Sequence, residues 1–190
     1  MRLAYKRRRE KKTNYRKRLK LLLSGKPRLV VRRKLNSIIS QVVIYDEKGD
    51  RTIASANSLE LKKFGWKAHP NNIPAAYLTG LLCGLRARNK INEAILDIGM
   101  HVPTKGSSLY ACLKGFVDSG INVPFDKEVL PSEDRIRGKH ISNYFKILKE
   151  KEMKNQFSMY KKSNFDVENF ENHFEEVKKK IIDSFGVKNG

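Results

Sequence analysis

The sequence RLVVRRKLNSIISQVVIYDEKGDRTIAS, residues 28–55, decides the fold of this chain. It contains three runs rich in β-branched residues, Arg28–Arg33, Ile38–Asp46 and Thr52–Ser55, separated by polar breaks. The second break, at residues 46–50, combines aspartate and glycine, which favour turns. Because such short connections join neighbouring strands that run in opposite directions, the segment predicts three antiparallel strands.

Helical and strand-like patterns alternate after these strands. Pro74 stands at a favourable first position of a helix, and the apolar sequence after it predicts a buried helix that runs to about Asn89. The run Ala94–Ile98, interrupted only by Asp97, predicts an interior strand, and Leu109–Val117 predicts another helix. Three meandering strands followed by helix, strand and helix predict an α/β layered domain with a mixed sheet.

Two further helices are expected towards the C-terminus. The sequence Pro131-Ser132-Glu133-Asp134 predicts a short capped helix within residues 130–141. An amphipathic helix over about residues 166–185 is predicted by apolar residues at spacings of three and four, namely Val167, Phe170, Phe174, Val177, Ile181 and Phe185. This helix could pack on the protein's own domain or dock onto another protein, and both alternatives remain open.

The composition of the 190 residues restricts the partners of the protein. Forty Lys and Arg against 20 Asp and Glu give a net charge of +20, which indicates a polyanionic partner. No apolar run approaches the ~18 residues of a transmembrane helix, so no membrane partner is expected. Cys83 and Cys112 lack C-x-x-C spacing and the N-terminus lacks an apolar leader, so we expect a reducing intracellular compartment. The histidines and cysteines lack metal-ligand spacing, and no cofactor is expected.

The excess charge is concentrated in an N-terminal arm. Residues 1–34 carry 16 Lys and Arg and a single acid, Glu10, so an external polyanion is expected to order this segment. A solvated tail or a localisation signal is the alternative interpretation of a basic run such as Lys6–Arg9. We therefore divide the chain into a basic RNA-binding arm (1–27), an α/β RNA-binding domain (28–145) and a helical extension (146–190).

Tyrosines interleaved with arginines make RNA the favoured polyanion. Arginine binds phosphates with two donors and stacks on bases, while Tyr5 and Tyr15 offer ring faces with polar tips. The leucines at 19 and 21–23, followed by Ser24–Pro27, predict a short helix anchored by leucines and ended by glycine and proline. Basic density continues through Lys34 and includes the first strand. The candidate RNA contacts in this part are Lys20, Arg28, Arg32 and Arg33.

Two loops carry further candidate contacts. Lys63, Trp66 and Lys67 surround Gly65, and an exposed tryptophan between lysines would suit stacking on an unpaired base, although burial is the alternative. Lys105 lies in Pro103–Ser108, between a predicted strand and a helix, where an RNA phosphate could bind. An ordinary N-capping turn is the alternative there, and the spacing does not fit a nucleotide-binding loop.

Acidic residues at strand ends raise a competing hypothesis, a Mg²⁺-dependent nuclease that uses Asp46 or Asp50 with Asp97. Such a site needs a third or fourth carboxylate, and residues 61–92 contain no Asp or Glu. The favoured interpretation is therefore a turn pair for Asp46 and Asp50 and a hydrogen-bonded acid at the sheet end for Asp97. A DNA-compacting protein is a third possibility.

Five ordered motifs resemble a known family. They are KRRREKKTNYRKRL (6–19), KPRLVVRR (26–33), KFGWK with PAAYLTG (63–67 and 74–80), LDIG with PTKG (96–99 and 103–106), and LPSEDRIRG (130–138). Together they resemble ribosomal protein L-eighteen of the large subunit, in its archaeal form, over roughly residues 2–145.

The resemblance implies a non-enzymatic, cytoplasmic component of the large ribosomal subunit. It implies that the protein binds 5S rRNA and helps attach it to 23S rRNA among the neighbouring proteins of the central protuberance. By position, the loop contacts of the family correspond to Lys63, Trp66 and Lys67. Its RNA-contacting arm corresponds to Arg7, Arg8, Arg9, Lys12, Tyr15, Arg16 and Arg18.

Overall fold

The strands predicted from residues 28–55 are present in the computed structural model, which describes residues 3–150, 156–158, 160 and 165–186. Strands β1 (Arg28–Arg33), β2 (Ile38–Ile44) and β3 (Arg51–Asn57) form an antiparallel meander. Strand β4 (Ile95–Asp97) pairs with β1 in parallel, so that the strand order is β3-β2-β1-β4. The prediction of an α/β layered domain with a mixed sheet is confirmed.

Two helices, α3 (Ile73–Ala87) and α4 (Ser108–Asp118), cover one face of this sheet. The side chain of Asn72 caps α3 by accepting a hydrogen bond of 2.7 Å from the backbone N–H of Ala75. Pro74 lies in the first turn, where its missing N–H has no helical partner to lose. Nearly every residue of α3 is buried, as its continuous apolar sequence predicts.

Helices α3 and α4 approach each other closely at glycines. A Cβ atom added to Gly80 would overlap the carbonyl oxygen of Cys112, and one added to Gly115 would overlap the carbonyl oxygen of Tyr77. Glycine at these positions therefore allows backbone to pack directly on backbone. This contact sets the distance between the two helices of the layer.

The C-terminal helix packs on the protein's own domain. Short helices α5 (Glu133–Arg137) and α6 (Lys139–Glu150) follow the layer, and α7 (Phe170–Ser184) returns to it. Phe170 and Phe174 on α7 are almost completely buried and belong to the same apolar cluster as the residues of α3 and α4. Of the two alternatives left open by the sequence, packing on the domain is the one observed.

The arm forms two short helices, α1 (Lys6–Arg9) and α2 (Tyr15–Leu22). Asn14 caps α2, whose residues are all at least partly exposed. The expectation that leucines anchor this helix is wrong for Leu19 and Leu23, which are 58% and 77% exposed. The reason is that α2 lies beside the polar face of the sheet, where an ion pair holds it.

Candidate nucleic-acid interface

The face of the sheet opposite α3 and α4 is polar and basic. In β1, Leu29 and Val31 point into the core, so the alternating residues Arg28, Val30 and Arg32 lie on the other face. The register of β1 with β4 brings Asp97 next to Val30 on that same face. The sheet therefore presents a second, charged face to the N-terminal arm.

The arm lies across this face and forms a groove of about 880 Å³ with it. Thr52 of β3 and the carboxylates of Asp50 and Asp97 line its floor. Seven cations line the groove, and they are Arg7, Lys12, Lys17, Arg18, Lys20, Arg28 and Arg32. Because the groove holds more cations than acids, a polyanion is the class of ligand that it fits.

A chain of ion pairs runs along the floor of the groove. Asp50 accepts hydrogen bonds from Arg18 Nη2 at 2.9 Å and from Arg28 Nη2 at 2.5 Å. Arg28 also donates through Nη1 to Asp97 Oδ2 at 3.0 Å. Arg32 donates to Oδ1 of the same carboxylate at 3.0 Å and to the Asp97 carbonyl oxygen at 2.6 Å. The two acids thus link α2, β1 and β4.

These ion pairs correct the interpretation of Arg28. Its side chain is only 3% exposed and is bound by both carboxylates, so it cannot reach an RNA phosphate without breaking them. The sequence placed Arg28 on the basic face but could not show that the register pairs it with acids. Arg28 therefore holds the two carboxylates of the groove floor in place.

Arg32 stays at the surface of the groove, where Gly99 makes room for it. The side chain of Arg32 is 36% exposed. An added Cβ at Gly99 would lie 2.8 Å from the guanidinium carbon, and the φ of Gly99 is +62°, in the left-handed region that favours glycine. Gly99 also donates its N–H to Asp97 Oδ1 at 2.8 Å, which fixes the carboxylate that holds Arg32.

The arm presents its remaining cations to solvent. Lys12 forms an ion pair of 2.9 Å with Glu10, and Tyr15 packs against Tyr5 with ring centroids 5.2 Å apart. Lys20 is exposed on the groove side of α2. Three more predicted contacts, Arg8, Arg9 and Arg16, are exposed and lie outside the groove lining.

One groove cation, Lys17, was missed in the sequence interpretation. It follows the cap residue Asn14 by three positions and precedes Leu21 by four, and all three line the groove. Helical spacing from Asn14 was therefore the signal that could have identified it.

Other predicted contacts lie away from the groove. Arg33 is exposed at the end of β1, where its Nε is 3.3 Å from Asn71 Oδ1. Lys105 is exposed and pairs with Glu128 at 2.7 Å. Lys63 and Lys67 are exposed on either side of Trp66, which the groove does not include.

The expectation that Trp66 is exposed for base stacking is wrong. Trp66 is 3% exposed and belongs to the core. Its ring stacks on His173 of α7 with centroids 5.1 Å apart and meets Phe170 edge-on at 5.6 Å. Because α7 covers this loop, Trp66 fixes the C-terminal helix and has no face available to a nucleobase.

The imidazole of His173 makes this junction sensitive to pH. Burial, with help from Lys67 and Lys180, lowers the pKa of His173, and its Nε2 accepts a hydrogen bond of 3.2 Å from the backbone N–H of Lys67. Because the pKa of His173 is lower in the folded state than in the unfolded state, folding favours the neutral imidazole. Its contribution to the free energy of unfolding is therefore fully present above the unfolded pKa of about 6.5 and is lost as pH falls.

We therefore expect the melting temperature to fall as pH decreases from 7.5 to 5.5. Replacing His173 with glutamine, which can still accept the Lys67 hydrogen bond, should weaken this dependence. Thermal unfolding followed by circular dichroism at several pH values measures it. An equal dependence in the parent and the His173→Gln variant would show that this histidine does not contribute. His101 and His140, whose pKa values burial also lowers, would account for the remaining dependence.

The acids of the nuclease hypothesis serve structural roles. Asp46 Oδ1 accepts the backbone N–H of Lys48 at 3.1 Å within the β2–β3 turn, and Asp97 is a hydrogen-bonded acid at the sheet end, as the sequence indicates. Asp50 is not simply a turn residue, because it binds two arginines. In the described part of the chain, no three His, Cys, Asp or Glu residues come together in a way that could hold a metal ion.

Residues 1–94 match the family model for ribosomal large subunit proteins 60S L5, and 50S L18. This match, over just under half of the 190 residues, identifies a large-subunit ribosomal protein of the L18 type. It supports a structural role in the large ribosomal subunit with ribosomal RNA as the class of partner, which confirms the resemblance. The match includes the arm and β1 to β3, whereas the motifs at residues 96–138 lie beyond it.

Over residues 3–150, 156–158, 160 and 165–186, no helix has both the length and the apolar sequence required to cross a bilayer.

Proposed function

We propose that this large-subunit ribosomal protein of the L18 type binds 5S rRNA through its arm and groove and helps attach it to 23S rRNA in the central protuberance. The observation that carries the proposal is the placement of a cationic arm across a sheet face that also presents arginines. The division into arm (1–27), domain (28–145) and extension (146–190) belongs to this proposal.

Charge neutralisation would supply most of the binding free energy. Residues 3–24 carry ten Lys and Arg. Several of these side chains line one groove, where they could contact the same phosphate chain. Each phosphate contact releases condensed counterions from RNA, so affinity depends steeply on salt concentration. The exposed arm arginines, such as Arg8, Arg9 and Arg16, can donate two parallel hydrogen bonds to one phosphate.

The cations outside the groove suit secondary contacts. Arg33, Lys63, Lys67 and Lys105 are exposed at other edges of the domain, where they could meet 5S rRNA, 23S rRNA or neighbouring proteins of the central protuberance. Trp66 and Arg28 do not belong to this contact set, because both are buried. Their role is to hold α7 and the groove floor in place.

The proposed role is not enzymatic. Asp97, which either form of the nuclease hypothesis needs, and Asp50, one of its two candidate partners, are bound by arginine guanidinium groups. Their negative charge is already matched by guanidinium groups, whose positive charge disfavours a nearby Mg²⁺ ion. Binding RNA and fixing its shape is the function that this arrangement supports.

A binding measurement across salt concentrations tests the proposal. If eight to ten arm cations reach phosphates, log affinity for 5S rRNA should fall against log salt with a slope on the order of −6 to −9. Filter binding or fluorescence anisotropy measures the slope, and a value near zero would contradict the proposal.

Two controls separate the competing functions. Duplex DNA that competes as well as 5S rRNA would favour a DNA-compacting protein. Incubation with Mg²⁺ should leave the RNA intact, and cleavage abolished by Asp97→Asn would favour the nuclease.

A further inference from the structure

The arm and the sheet face that it covers carry charges of the same sign. Arg28 and Arg32 lie on the sheet, and Arg7, Lys17 and Lys20 approach from the arm. Such layers should repel each other unless a negative charge lies between them. Within the described residues, the pair Arg18–Asp50 is the only salt bridge that joins residues 3–24 to the rest of the domain.

Asp50 binds the arm and the sheet at the same time. Each of its carboxylate oxygens accepts from a different arginine, Arg18 of the arm and Arg28 of the sheet. Arg28 is fixed in turn by Asp97, so the sheet side of the bridge cannot move freely. Although partial burial by itself would raise the pKa of Asp50, the hydrogen bonds from Arg18 and Arg28 lower it overall. The carboxylate is therefore charged at neutral pH.

We propose that Asp50 is a positioning residue for RNA binding, which holds Arg18 against the sheet and thereby keeps the arm in place as one wall of the groove. The proposal rests on the proposed function, because the groove is taken as the place where the RNA backbone binds. Ordering the arm before binding lowers the conformational entropy that the complex must lose. Arg18 then acts mainly as a tether, and its neighbours on the arm supply the free cations.

This role predicts that the loss of the Asp50 charge changes the affinity for RNA in the direction opposite to that expected from net charge alone. Removing an acid from an RNA-binding groove should strengthen binding if only the net charge matters. If Asp50 positions the arm, Asp50→Asn should weaken binding despite the more positive protein. Asp46 provides the matched control, because it lies in the same β2–β3 turn, is exposed, and bonds only within that turn.

The experiment compares full-length Asp50→Asn and Asp46→Asn with the parent chain. Limited trypsin digestion without RNA reports on the arm, which is rich in cleavage sites, and anisotropy reports the Kd for 5S rRNA. We expect Asp50→Asn to accelerate cleavage of the arm and to weaken the Kd roughly tenfold. Asp46→Asn should leave cleavage unchanged and bind equally well or more tightly.

Two further variants address folding and geometry. Asp50→Glu keeps the negative charge, so it should keep the arm protected from trypsin. If Asp50→Asn exposed the arm only by disturbing the β2–β3 turn, Asp50→Glu would expose it as well. Arg18→Gln breaks the same bridge from the arm, where the side chain lies outside the core. It should expose the arm to trypsin even if Asp50→Asn lowers the stability of the domain.

Unchanged protection of the arm in both Asp50→Asn and Arg18→Gln would overturn the proposal, as would tighter RNA binding by Asp50→Asn. Failure of the parent chain to bind 5S rRNA would contradict the proposed function instead. The digestion is performed without RNA, so it tests the tether independently of that result.

Discussion

Replacing Gly80 with alanine should destabilise the domain by about 3 kcal/mol or more, although alanine is normally the better helix former by roughly 1 kcal/mol. The added methyl group would overlap the carbonyl oxygen of Cys112 on α4. Because that oxygen belongs to a backbone inside a helix, it cannot rotate away as a side chain could. The two helices would have to separate, and close packing over the sheet would be lost.

Gly115 should show the same effect from the other helix. Its added Cβ would overlap the carbonyl oxygen of Tyr77 on α3, so Gly115→Ala tests the same contact independently. Gly84 makes a useful comparison, because its added Cβ would overlap only side-chain atoms, the hydroxyl oxygen and Cβ of Ser119, while the nearest backbone atom, the carbonyl oxygen of Phe116, would lie 3.0 Å away. We expect Gly84→Ala to be less harmful.

Urea unfolding followed by circular dichroism measures these changes in the free energy of unfolding. The expected order of stability is parent, Gly84→Ala, then Gly80→Ala and Gly115→Ala. The sign of the change in the free energy of unfolding supplies an internal control, since helix propensity alone would make every one of these variants more stable. A Gly80→Ala variant as stable as the parent would show that the helices are not in direct backbone contact.

Local patterns were sufficient to predict most of the fold. The predicted bounds of β1 are those observed, and α3 begins at Pro74 within one residue. These signals are short-range, since β-branched runs, turn residues and a proline in the first turn act through neighbouring residues. The amphipathic pattern of α7 also predicted its buried face, of which Phe170 and Phe174 are part.

The errors in the site arise from contacts between distant parts of the chain. Trp66 is buried because His173 and Phe170 pack on it, and a contact between residues about a hundred positions apart leaves no local pattern. Arg28 is buried because the sheet register brings it to Asp97 and the β2–β3 turn brings it to Asp50. The sequence could show which residues are basic but not which of them already have an acidic partner.

This distinction identifies the cations that should matter most for RNA binding. Arg18, Arg28 and Arg32 of the groove are occupied by Asp50 or Asp97. The other four groove cations, which have no partner among the acids of the sheet, are Arg7, Lys12, Lys17 and Lys20. Replacing these four with glutamine should therefore weaken RNA binding strongly while sparing the ion pairs between the arm, β1 and β4.

The expected loss for this fourfold variant is large. At about 0.7 to 0.9 per phosphate contact, the slope of log affinity against log salt should become shallower by roughly 3, and affinity at moderate salt should fall by roughly 100-fold or more. The melting temperature should stay close to that of the parent, since none of the four side chains is buried in the core. Anisotropy with 5S rRNA at four or more salt concentrations measures the slope.

A control variant with the same change in charge separates groove contacts from general attraction. Glutamine at Arg88, Lys127, Lys146 and Lys179 also removes one arginine and three lysines, all exposed and all outside the groove lining. Long-range attraction depends on net charge, so it would weaken equally in both variants, whereas phosphate contacts in the groove would be lost only in the first. If the two variants lose the same affinity and the same salt slope, the groove is not where the RNA backbone binds. A much larger loss from the groove set would mean that position in the groove, beyond the total charge of +20, determines RNA binding.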